Sequence, residues 1–120
     1  MTAARILRVW GAAMLAVALA VPASAMSLRE MMALQKSDAT HGPEYVQYFL
    51  IGVMEGAVET NAAAVRAGGK PLFCLNGRRL EPRMAQGLLE GERKRRPGVY
   101  EADMPVQLVM LQALATAYPC

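Results

Sequence analysis

Residues 106–120 read VQLVMLQALATAYPC, an apolar helical pattern that runs directly into a proline and a cysteine. Between Val106 and Tyr118 the only polar residues are Gln107, Gln112 and Thr116. A helix this apolar around its circumference belongs at the centre of a helical domain. Pro119 stops it, and Cys120 stands where a tail would otherwise fray. No stretch shows sustained apolar–polar alternation of period two, so strands are not expected. The fold class implied is all-α, a small single-domain bundle of about four helices.

Cys120 has one possible partner in the chain, Cys74. In an oxidising compartment an even cysteine count reads as a disulfide. Closing the loop between residues 74 and 120 is worth about 4 kcal/mol in the chain-entropy account. Two alternatives remain. A catalytic thiol would need a base, and the sequence holds one histidine, His41. An intermolecular disulfide would leave the domain unstapled. The intramolecular staple is the favoured reading.

The front of the chain supplies the compartment. Arg5 and Arg8 precede an uncharged apolar run from Val9 to Val21, and Ala23-Ser24-Ala25 forms an A-x-A site. That is the pattern of a bacterial signal peptide over residues 1–25, cleaved after Ala25. The run is shorter than the ~20 apolar residues of a membrane span. The expected mature domain is 26–120, in the periplasm, with no membrane attachment after cleavage. The formal charge of the whole chain is +3. Without Arg5 and Arg8, 11 basic residues face 10 acidic ones, so nothing points to nucleic acid.

Working inward, a first helix is expected from Ser27 to Lys36, opened by a Ser27–Glu30 capping box. Leu28, Met31, Met32 and Leu34 form its apolar side. A second should run from about Pro43 to Ala67, with Val46, Leu50, Val53, Ala57 and Asn61 on one stripe and Tyr45, Phe49, Gly52 and Gly56 on the next. Gly52 and Gly56 make a flat place for another backbone. Close packing within the chain is favoured over a homodimer seam. Gly68-Gly69 ends the helix. Leu72 and Phe73 are expected to enter the core, and Asn76-Gly77 to turn the chain. A third helix is expected over 81–96, with Leu80, Met84, Leu88 and Leu89 as its apolar stripe, giving way to the polar GERKRR at 91–96. The basic run at 93–96 reads as a solvated helix end beside the negative pole of the macrodipole. Residues 97–103, PGVYEAD, form an exposed loop, from which Asp103 can cap the last helix.

The chemistry of an enzyme is hard to assemble from these residues. Ser27, Ser37 and His41 lie in polar N-terminal segments without a nucleophile-elbow context. Paired cysteines leave too few ligands for a metal. Glu55 and Glu59 stand one turn apart on what should be a wet face. Six methionines beyond Met26 are scattered at core spacing. The expectation is a protein without catalytic activity, metal or cofactor.

The pieces YVQYFLIGVMEGA at 45–57, LFC at 72–74 and LVMLQALATAYPC at 108–120 resemble the Rap1a/Tai family, immunity proteins of type VI secretion amidase effectors. The likeness covers about residues 44–120, and the FC and AYPC pair is its most specific part. The third helix departs from the family pattern at Glu81 and in the ERKRR run at 92–96. The resemblance implies an all-α fold, the Cys74–Cys120 disulfide, a homodimer, and a periplasmic partner, a secreted peptidoglycan amidase effector blocked by occlusion. The candidate contact element is the 97–103 loop, with Tyr100 as an aromatic anchor and Glu101 and Asp103 as polar residues. On that reading Tyr100→Ala weakens binding and leaves thermal stability nearly unchanged. The competing reading is a small periplasmic helical chaperone or envelope structural protein without a cognate toxin.

Overall fold

Ser27 begins the first helix as its sequence requires. Its hydroxyl accepts the Glu30 amide at 3.2 Å, and the Glu30 carboxylate accepts the Ser27 amide at 2.8 Å. The helix, α1, spans Leu28–Ser37, and Leu28 and Met31 are its buried residues. The structure is a computed structural model that describes residues 25–120. The signal-peptide reading falls on residues up to 25 and so lies outside the described part, apart from Ala25.

Asp38 turns the chain after α1. Its carboxylate accepts the amides of Thr40 and His41, each at 3.0 Å. Gly42 follows, the glycine most closely overlain: a Cβ there would clash with the Leu34 carbonyl oxygen. From that point α2 runs Gly42–Arg66, with Pro43 in its first turn. Its core-facing side steps by four through Val46, Leu50 and Met54. Val53 and Ala57, expected on that stripe, are only half-buried, because a strict four-residue step rotates the buried line onto Met54. Glu55 and Glu59 face solvent. Gly68, at φ 88°, ends the helix as expected.

The link to the next helix is held by Asn61. Its side chain donates to the Phe73 carbonyl at 3.0 Å and accepts the Leu72 amide at 2.8 Å. Phe73 is thereby turned into the core, but Leu72 is 64% exposed and not a core residue as expected. Successive side chains of an extended segment point opposite ways, so one of the two had to face out. Asn76 and Gly77 both take positive φ, 53° and 80°, and make the expected turn.

The third helical segment begins as a 3-10 turn, Pro82–Met84, and continues as α3, Ala85–Arg95. The tighter turn changes the phase of the helix. The buried line becomes Ala85, Leu89 and Glu92, while Leu80, Met84 and Leu88 are half-buried. The buried line therefore continues into the GERKRR segment instead of stopping before it.

Helix α4, Val106–Ala117, buries Val106, Val109, Met110, Ala113 and Leu114. It packs against both α3 and α2, and α1 packs against α2. Its N-cap is Pro105, without a side-chain cap. Asp103 does not cap it, because it stands two residues before the N-cap; its carboxylate instead forms an exposed pair with Arg29 at 3.1 Å. Cys74 and Cys120 are joined in a disulfide, and beside it the Cys74 amide donates to the Tyr118 carbonyl at 2.8 Å. The result over the described residues is a four-helix domain without strands, stapled once. No helix among them is long and apolar enough to cross a membrane.

Candidate functional site

The loop between α3 and α4 is fixed at both ends. At its near end the Tyr100 hydroxyl donates to Glu92 Oε1 at 2.5 Å. Glu92 has no exposed surface. Its other oxygen accepts from Arg95 at 3.0 Å, and Arg96 Nε stands 3.5 Å from Oε1. Burial pushes the Glu92 carboxyl up, but hydrogen bonds from Tyr100, Arg95 and Thr116, with the charge of Arg96, more than reverse this and hold it below its ordinary value. Burial, followed by the Glu92 hydrogen bond and charge, lifts Tyr100 to about 12.

At the far end, the amides of Leu28 and Arg29 in the first turn of α1 donate to the carbonyls of Met104 and Ala102 at 3.0 and 2.9 Å. These are orphan donors of a helix N-terminus, satisfied by the loop backbone. Ser27 and Pro105 pair as an isolated bridge, and Arg29 reaches Asp103. Gly98, at φ 78°, makes the bend between the end of α3 and Tyr100. Val99, 56% exposed, is the one large apolar side chain of the loop that faces outward, beside the exposed Glu101 and Asp103.

The candidate contact residues thus divide. Tyr100 is half-buried with its hydroxyl committed to Glu92, Asp103 is engaged by Arg29, and Glu101 is exposed. Removing the Tyr100 side chain takes a partner from a buried carboxylate, so indifference of thermal stability to Tyr100→Ala is no longer the expectation.

A second surface lies between α2 and α4. Gly52 and Gly56 line a groove of about 520 Å³ with Tyr48, Phe49, Gln107 and Leu111. Nothing stands within 4 Å of a Cβ built at either glycine. The close intrachain packing expected there is therefore absent, and the flat stretch of helix is open. The Gln107 Oε1 atom is buried with no hydrogen-bond partner among the described residues. A second hollow of about 340 Å³ shares Leu111 and adds Leu72, Met104 and Leu108. No charged residue lines either one.

Other candidates for chemistry are engaged structurally. Cys74 is bonded to Cys120, with an S–S distance of 2.06 Å, which removes it as a thiol nucleophile and removes the intermolecular bond. Ser27 caps α1, the Ser37 hydroxyl donates to the Leu34 carbonyl at 3.2 Å, and His41 Nδ1 lies 3.3 Å from Asp38. The backbone amide of His41 leads the interactions that hold the Asp38 carboxyl below its ordinary value. No group of three or more metal-ligating side chains is gathered among the described residues. Arg93 pairs with Glu90 at 3.3 Å, so most of the basic run is tied locally to α3 carboxylates.

Sequence reasoning passed over Glu92 and Val99. A signal for Glu92 existed: it follows Ala85 and Leu89 at four- and three-residue steps, the spacing of one helical face. Val99 carried none, since its exposure follows from Tyr100 beside it being held inward. Compared with protein-family models, curated proteins and solved structures, the chain finds no match in any of the three, so its likeness to the Rap1a/Tai family rests on the quoted motifs alone.

Proposed function

We propose that this chain is an exported immunity protein that binds a secreted peptidoglycan amidase in the periplasm and occludes its active site, contributing no chemistry of its own. The observation that carries this reading is the loop at 97–104, held to α3 at Tyr100 and to α1 at Ala102 and Met104, with the apolar Val99 outward. A preformed loop loses little conformational entropy when it enters a cleft. The FC and AYPC motifs support the same reading, as does the disulfide, which is a feature of proteins in oxidising compartments. A homodimer belongs to the proposal, its seam the open stretch of α2 at Gly52 and Gly56. The uncharged groove around that stretch has the composition of an interface centre.

The same uncharged grooves favour a second reading, a helical chaperone that binds apolar segments of many clients. Stoichiometry separates the two. Tagged protein recovered from the periplasm, after exposure to secreted proteins of the same and neighbouring strains, is expected to retain one partner in stoichiometric amount, with a Cys-His amidase sequence. Recovery of many substoichiometric envelope proteins instead would favour the chaperone.

A further inference from the structure

We infer that Tyr100 is a positioning residue, latched through its hydroxyl to the buried Glu92 carboxylate so that the 97–104 loop holds one conformation with Val99 outward. The use of that loop in docking rests on the immunity reading; the latch itself is a property of the free protein.

Three observations converge on it. Glu92 is the one charged side chain in the buried set of the described residues. A buried carboxylate is tolerated where hydrogen bonds and opposite charge replace its water. Two of its partners, Arg95 and Arg96, come from α3 and its C-cap and are half exposed, so they satisfy the carboxylate without fixing anything distant. Tyr100 is the partner that the loop supplies, and the pair spans from the third turn of α3 to a point beyond the Gly98 bend. The far end is independently held by the α1 amides at Ala102 and Met104. The loop keeps two internal hydrogen bonds, one before Tyr100, Val99 amide to Arg96 carbonyl at 3.3 Å, and one after it, Met104 amide to Glu101 carbonyl at 3.0 Å. Their amides report loop order directly.

The test is residue-resolved amide hydrogen exchange on the purified protein, with Tyr100→Phe and Glu92→Gln. Tyr100→Phe keeps the ring and removes the hydroxyl alone. Loss of a hydrogen bond to a charged group should speed exchange at Val99 by about tenfold or more, and by more than at Leu50 and Met54 in α2, whose exchange follows only the loss of global stability. A tyrosinate titration gives a second readout that general loosening would not mimic: in Glu92→Gln the Tyr100 hydroxyl should titrate lower than in the native protein, by the part of its shift that Glu92 supplies beyond burial. Unchanged exchange at Val99 in Tyr100→Phe would overturn the latch. So would an equal rise at Leu50 and Met54, which would make Tyr100 a residue of the whole fold. Neither readout needs a partner, so failure to recover an amidase would count against the immunity reading and not against the latch.

Discussion

A carboxylate with no exposed surface ties the stability of the domain to pH in a direction that its neighbours set. The Glu92 carboxyl lies below its ordinary value of 4.5 in the fold. The native state therefore binds fewer protons there than the unfolded chain. The associated stability is fully present above pH 4.5 and is lost as pH falls through the folded value. Tyr100 has the opposite sign. Raised to about 12 from 10.0, it contributes stability that is present below pH 10 and lost between 10 and 12. Urea denaturation across pH should show both edges in the native protein. Tyr100→Phe should remove the alkaline edge and cost about 1–2 kcal/mol at neutral pH. An alkaline edge that survives in Tyr100→Phe would mean that another group causes it.

At the scale of the elements, glycines that look alike in sequence do opposite work. Gly42 is buried, and a Cβ there would clash with the Leu34 carbonyl oxygen. Since that obstacle is backbone, Gly42→Ala should force α1 and α2 apart and cost about 1–3 kcal/mol. Gly56 lies mid-helix over open groove, so Gly56→Ala should stabilise the monomer by about 0.5–1 kcal/mol through helix propensity. Thermal denaturation of the two variants should move Tm in opposite directions. If α2 forms the dimer seam, the larger Gly56→Leu should also shift sedimentation towards monomer; a wild type that sediments as a monomer at high micromolar concentration would remove the seam. Helix existence was legible from the sequence because capping boxes, Pro in first turns and Gly-Gly ends are local signals: Ser27–Glu30, Pro43 and Gly68 each do what their type does elsewhere. Burial phase was less legible. The 3-10 turn at Pro82–Met84 rotated the core side of α3 onto Glu92, and no residue pattern marks where a first turn tightens. The loop at 97–103 was located from its composition, but which of its side chains face out depends on α1 and α3, elements distant in sequence.

For the molecule as a whole, the disulfide matters through the helix that it ends. Cys74 and Cys120 are 46 residues apart in sequence, and the span between them holds α3, the loop and α4. Without the bond, the C-terminus of α4 would be retained by the Cys74 amide on the Tyr118 carbonyl and by the Arg78 guanidinium stacked 4.7 Å from the Tyr118 ring centre. Both are single weak contacts near the surface. Yet α4 carries five buried residues, more than any other helix among the described residues, so loosening its end reaches the centre of the core. Reduction should therefore act cooperatively and not as local fraying. Paired replacement, Cys74→Ser with Cys120→Ser, should cost about 4 kcal/mol. For a domain near this size that corresponds to a fall in Tm of roughly 15–30 °C. Calorimetry of the native and doubly substituted proteins measures it, and a single broad transition at much lower temperature is the expected form. A fall of only a few degrees would show that packing alone holds α4, and that the bond at Cys120 closes the chain without stabilising its centre.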